Sequence, residues 1–230
     1  MKKTIELTLI LLVVALGTLS ASPINCTPPQ PMTVATVSNT FMLPPVGSPT
    51  MTCGPLQFSD FQAIAASPGT PTGLDIVAVS PSTFDPATGT VSVSFNPNFT
   101  MMGSGIEDIH LYFNVTATSG KQIFGVDGNI GGTNSHFTES ICGGAYSGAG
   151  GCSSTLAMFT LFSGQSQGVI PITPSTSIGV FKDIQTIGPG ALTSFGQTFE
   201  TSVIPEPGTL AMFGSAIIGL SAVVRRKRSS

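Results

Sequence analysis

Two histidines and eleven scattered acids are the residues of this chain that could do acid–base or metal chemistry. The pentapeptide Gly164-Gln165-Ser166-Gln167-Gly168 fits the G-x-S-x-G pattern of a hydrolase nucleophile. That chemistry needs a strand before the serine, a helix after it and a histidine later in the chain. Here Val169-Ile170-Pro171-Ile172 follows, extended and broken by proline, and both His110 and His136 come earlier, so Ser166 reads as part of a glycine turn. Asp108 and His110 are two residues apart in an alternating run, which puts them on one face of a strand beside Tyr112 and Asn114. Such a patch could hold a sugar or move a proton; a solvated strand face is the plainer account. His136 sits in a stretch rich in Gly, Asn and Ser, with no partner in view. Asp127-Gly128-Asn129 and Glu107-Asp108 offer oxygens to calcium, but neither repeats carboxylates at the spacing of a calcium loop. No catalytic residue, metal ligand or cofactor follows from these patterns, and an enzyme is not expected.

The charge balance narrows the partners. Only 8% of residues are charged. Between residues 22 and 204 nine acids face two lysines, Lys121 and Lys182, a formal charge of −7 that the whole-chain value of −3 conceals. A nucleic-acid partner is not expected, because binding the phosphate backbone needs a basic surface. Disorder is not expected either, since 41% of residues are apolar and they fall in short alternating runs.

Four cysteines, Cys26, Cys53, Cys142 and Cys152, form an even set. In an exported chain that reads as two disulfides, with three pairings open. Cys26–Cys53 with Cys142–Cys152 is favoured, because the second pair brackets Gly143-Gly144-Ala145-Tyr146-Ser147-Gly148-Ala149-Gly150-Gly151, a loop that gains from a clamp. Zinc would call for Cys-x-x-Cys spacing, which is missing.

The elements that must position these residues are strands. Val91, Val93 and Phe95 alternate with Ser92 and Ser94; Ile109, Leu111, Phe113 and Val115 alternate with His110, Tyr112, Asn114 and Thr116. Leu56–Phe61, Leu74–Val79, Gln122–Val126, Leu156–Phe162, Ser177–Phe181 and Thr198–Val203 are further runs. Turn residues separate them at Ser67-Pro68-Gly69, Asp85-Pro86-Ala87-Thr88-Gly89, Asn96-Pro97-Asn98 and Asp127-Gly128-Asn129. About eight to ten strands are expected, giving an all-β, antiparallel β-sandwich, jelly-roll-like, with one wet face per sheet. The predicted organisation is a signal peptide over 1–21, a Pro/Thr/Ser-rich arm over 22–52, the sandwich over 53–203 and a C-terminal segment over 204–230.

The two ends set the chain's fate. Lys2 and Lys3, the apolar run Leu7–Leu19 and the small residues Ser20, Ala21 and Ser22 have the anatomy of a secretory signal peptide, cut by signal peptidase within Ser20–Ser22. At the other end come Pro205-Glu206-Pro207, an apolar stretch Thr209–Val224, and the cluster Arg225, Arg226, Lys227, Arg228. Sixteen residues of helix reach about 24 Å, so this single transmembrane helix is short for a bilayer and relies on snorkelling arginines. The basic cluster predicts a cytoplasmic C-terminus, with the body across the membrane.

A Pro-Glu-Pro tripeptide, a short apolar helix and an arginine-rich tail, in a chain that opens with a signal peptide, resemble the PEP-CTERM sorting signal of Gram-negative bacteria that make extracellular polysaccharide. The resemblance implies recognition of Pro205, Glu206 and Pro207 by the membrane enzyme exosortase, a stop signal at Arg225–Arg228, passage through the inner membrane and delivery to the cell surface or medium. The body is similar to one group of such proteins of unassigned function, on three stretches: Cys53-Gly54-Pro55-Leu56-Gln57-Phe58-Ser59-Asp60-Phe61, Asp108–Phe113 and Lys182-Asp183-Ile184. This second likeness implies no activity. The expected role is structural, in a polysaccharide matrix, with a carbohydrate-binding module as the alternative and a hydrolase as the third reading. Absence of tryptophan weakens a sugar-stacking platform.

Overall fold

The computed structural model of the protein describes residues 24–27, 31–39, 49–68, 70, 72–97, 99–102, 104–118, 120–146 and 152–203. The expected signal peptide (1–21) and the sorting tripeptide, helix and basic tail (204–230) lie outside the described residues. Among the described residues no helix is long and apolar enough to cross a membrane.

Among the described residues, twelve strands make one continuous sheet. They are β1 (Ile24–Asn25), β2 (Met32–Ser38), β3 (Met51–Cys53), β4 (Leu56–Ala65), β5 (Asp75–Asp85), β6 (Thr90–Asn96), β7 (Phe99–Met101), β8 (Ile106–Ala117), β9 (Lys121–Gly143), β10 (Thr155–Phe162), β11 (Ser166–Ser175) and β12 (Ser177–Val203). The period-two alternation does what it predicts: in β6 the odd residues Val91, Val93 and Phe95 are buried and their neighbours are half-buried.

The frame is the long hairpin-like pair β9 and β12. The first part of β12, Ser177–Ile187, lies between β8 and the second part of β9. Its second part, from Gly190, lies between β7 and β6 on one side and the first part of β9 on the other. The two parts fold over one another, so the sheet packs on itself in the manner of a sandwich. Rings from opposite layers meet in the core: Phe58 of β4 lies 5.5 Å from Phe199 of β12, and Phe61 of β4 lies 6.2 Å from Phe95 of β6. Phe95 also lies 5.9 Å from Phe113 of β8. Each fully buried ring of this kind contributes roughly 2–3 kcal/mol.

Both long strands turn the corner at glycine-containing stretches, Gly131-Gly132 in β9 and Gly188-Pro189-Gly190 in β12. Pairing slips twice in succession: between Thr186 and Ala191 of β12, opposite Ser135 and Thr133 of β9, and between Leu192 and Ser194, opposite Gly132 and Gly131. Gly132 has φ +131°, and a Cβ there would stand 2.1 Å from the Ala191 carbonyl oxygen. Two residues on in the same strand, Asn134 takes φ +51° and its Nδ2 donates to the Pro189 carbonyl at 2.7 Å. A register slip with glycine at the close approach is how a strand bends sharply from one layer into the next.

Several expectations change here. Asp127-Gly128-Asn129 is not a turn but the interior of β9, and the Gly/Asn/Ser-rich stretch around His136 belongs to the same strand. Ser177–Phe181 and Thr198–Val203 are the two ends of one strand. The described part of the Pro/Thr/Ser-rich arm supplies β1 and β2, and Cys26, Val34 and Val37 join the main core. Pairing is antiparallel throughout the ladders except between β2 and β4, which run parallel at Val37–Ala63 and Ser38–Ile64. Disulfides join Cys26 to Cys53 and Cys142 to Cys152, tying β1's end to β3 and the end of β9 to the segment leading into β10.

Candidate functional site

The stretches Asp108–Phe113 and Lys182-Asp183-Ile184 come together as neighbouring strands. In the β8–β12 ladder Tyr112 pairs with Phe181, His110 with Asp183 and Asp108 with Gln185. Strand alternation sends these six side chains to one face, while Ile109, Leu111 and Phe113 with Lys182 and Ile184 point into the core. One tripeptide, Lys182-Asp183-Ile184, therefore serves both faces.

On the outer face His110 Nε2 lies 3.8 Å from Asp108 Oδ1 and 3.9 Å from Asp183 Oδ1. The three ligand-type atoms all fall within 4.8 Å of one another. Tyr112 Oη meets His110 Nδ1 at 3.3 Å, and Gln185 Nε2 donates to Asp108 Oδ2 at 3.3 Å. Burial, followed by the charge of Asp183, pushes the Asp108 carboxyl up to about 6. The set could share a proton or hold a cation.

This face is less wet than the sequence suggests. Tyr112 and Asn114 are buried, because the segment after β9 folds over them. Tyr146 N donates to Asn114 Oδ1 at 2.5 Å, Asn114 Nδ2 donates to Asp60 Oδ2 at 2.9 Å, and the Tyr146 ring lies 4.7 Å from Tyr112. Phe181 stacks on the other side of Tyr112 at 4.9 Å. Burial and the neighbouring Tyr146 push the Tyr112 phenol well above its ordinary range. Gly179 makes room for this: a Cβ there would stand 2.8 Å from Tyr146 N.

On the inner face Lys182 and Glu139, opposite each other on β12 and β9, form a fully buried ion pair. Lys182 Nζ also donates to Gln197 Oε1 at 2.7 Å across the core and sits 4.2 Å from the centre of the Phe137 ring. Burial lowers the Lys182 pKa and raises that of Glu139, and each partner's charge opposes the shift. The sequence shows Lys182 as one of two lysines of the body and as part of Lys182-Asp183-Ile184, but not as a core residue. The signal was available in its neighbours, since Lys182 shares a period-two register with Val180 and Ile184.

The remaining candidates do not converge on this site. Glu107 and Asp108 are successive strand residues and face opposite ways, so they offer no shared calcium site. Ser166 opens β11 after a short turn and pairs with Asn129; a strand follows it, not the helix that a nucleophile elbow needs. The His136 ring lies 5.4 Å from that of Phe162, tilted against it, in a groove lined by Asn134, Ser135, Ser163 and Ile187 near the corner of β9 and β12.

Comparison with known proteins finds a family match at the C-terminal part of the chain. Residues 203–228 match the PEP-CTERM protein-sorting motif. The chain thus carries a PEP-CTERM sorting signal, which implies processing by exosortase, export and sorting to the cell surface; the match leaves the β-domain unassigned. No curated protein matches the chain. Among solved structures, the chain is similar to TmCBM61 in complex with beta-1,4-galactotriose, at 10% identity and TM-score 0.28, over 61% of this chain and 85% of that one. It is also similar to infectious bursal disease virus, Gx strain, at 15% identity and TM-score 0.24, over 66% of this chain and 40% of that one. Superpositions this loose carry no argument about fold or ligand.

Proposed function

We propose that the protein is an exported structural component of the cell surface or of the extracellular polysaccharide matrix, built on a jelly-roll-like β-sandwich and without a catalytic role. Signal peptidase removes the first segment within Ser20–Ser22. Thr209–Val224 crosses the inner membrane until exosortase acts near Pro205-Glu206-Pro207, with Arg225–Arg228 halting transfer. The observation that carries this reading is the sorting motif over residues 203–228. Two disulfides agree with it, because such bonds persist in oxidising, extracytoplasmic compartments. Intact mass of the protein recovered from the surface or medium of its host tests it. Loss of residues up to about position 21 and of everything beyond about Pro207 is expected, with a deficit of ~4 Da for two disulfides. An intact C-terminus in the membrane fraction would make the segment a permanent anchor.

A second reading, a carbohydrate-binding module, is favoured by the groove at the β9–β12 corner. There the largely exposed Phe162 ring lies against His136, among Asn134, Ser135 and Ser163. An exposed ring among hydroxyl and amide groups suits the apolar face and polar rim of a sugar. Glycan-array binding that disappears in Phe162→Ala supports this reading; an array without hits, with and without calcium, removes it.

A further inference from the structure

The geometry points to a divalent transition-metal site of the zinc class on the outer face of the β8–β12 ladder, ligated by His110 Nε2, Asp108 Oδ1 and Asp183 Oδ1. Three independent features aim these atoms at one point. First, the backbone register puts His110 directly opposite Asp183, with Asp108 one side chain along the same face. Second, the other half of two ligand groups is already engaged. Tyr112 Oη meets His110 Nδ1, which leaves Nε2 for the cluster, and Gln185 holds Asp108 Oδ2, which leaves Oδ1. Outer partners that fix an imidazole and a carboxylate in this way are what a metal site uses to orient its ligands. Third, Asp108 Oδ1 and Asp183 Oδ1 are both enclosed by protein and meet no hydrogen-bond donor. Enclosed carboxylate oxygens without a donor are costly unless a cation or a shared proton satisfies them, and a bound cation satisfies both at once.

The rival account is an ion pair between a protonated His110 and the two aspartates. At 3.8 and 3.9 Å the imidazole nitrogen is beyond hydrogen-bond reach of both oxygens. Those separations are instead close to the roughly 3.3–3.5 Å between ligands of a tetrahedral ion with bonds near 2.1 Å. Side-chain torsions supply the difference of about half an ångström. Lys182, adjacent in sequence, points into the core and pairs with Glu139, so it gives the cluster no charge. One imidazole and two carboxylates, with room for water as a fourth ligand, suit zinc or manganese better than calcium, which takes six to eight oxygens.

The test uses the exported protein recovered from its host, stripped with chelator and titrated with Zn2+ alone by calorimetry. The chain has two histidines, so imidazole nitrogen NMR of the same samples separates them cleanly. One ion per chain is expected, with the His110 Nε2 resonance moving and the His136 resonances unmoved. Asp183→Asn, at a half-exposed position that need not disturb folding, and His110→Ala should each weaken binding at least ~10- to 100-fold; Tyr112→Phe, which removes the hydroxyl that meets His110 Nδ1, should weaken it by about 10-fold. His136→Ala should bind as the parent does. Absence of saturable Zn2+ binding, wild-type affinity in Asp183→Asn and His110→Ala, or a shift at His136 in place of His110 would each overturn the assignment. Displacement of Zn2+ by an equal concentration of Ca2+ would overturn the choice of metal class. None of these readouts depends on where the protein is sorted, so the site and the export reading stand or fall separately.

Discussion

At the residue scale the least expected feature is the charge in the core. Lys182, Glu139 and Gln197 are fully enclosed, with the Lys182 ammonium over the rings of Phe137 and Phe195, in a sheet interior that is largely apolar. Burying an ion pair brings little net stability, because desolvation opposes the attraction, but breaking one leaves an uncompensated charge. Lys182→Met should therefore lower unfolding free energy by about 3–5 kcal/mol. Replacing all three groups by apolar residues of similar volume should recover most of the loss. Urea denaturation of both variants checks this, and a triple variant as unstable as the single one would show that the charges are needed for something beyond their own pairing.

At the element scale the corner of β9 and β12 decides the architecture. Twenty-seven residues of β12 and twenty-three of β9 would make a flat ribbon unless each bent sharply near its middle. Gly132 sits at that bend, and its conformation and its 2.1 Å Cβ clearance from a carbonyl oxygen both demand glycine. Gly132→Ala should destabilise the protein by about 2–3 kcal/mol, from backbone strain together with displacement of Ala191. The denaturant midpoint should fall with little change in its slope, since the surface exposed on unfolding stays the same. The glycines were legible as breaks. Whether a break is a turn or a bend was not, because glycine permits both and only the partner strand across the ladder tells them apart.

At the scale of the whole molecule the two disulfides act on different parts. Cys26–Cys53 closes a separation of 27 residues and holds the N-terminal strands to the sheet; Cys142–Cys152 closes one of 10 and clamps the segment that covers Tyr112 and Asn114. Loop-closure entropy assigns about 3–4 kcal/mol to the longer bridge and about 2–3 kcal/mol to the shorter. Removing the Cys26–Cys53 pair by double alanine substitution should thus lower Tm by roughly 10 °C in a domain of this size, and more than removing the other pair. Calorimetric scans of the two double variants give the order directly.

Much of this protein is determined locally. Period-two alternation yields strands because each side chain's face follows from its own position, and the sorting motif is read as a linear string, so both were visible without a structure. The shared face of Asp108, His110 and Tyr112 was visible for the same reason. Asp183 was not, because it is separated from His110 by 73 positions in the chain and joins it only through the β8–β12 register. The burial of Lys182 was not legible either; it follows from which layer β12 folds against. Pairing partners, the corner and the site are non-local, and no single segment carries the information that sets them. They exist only once the two halves of the sheet close over a common core.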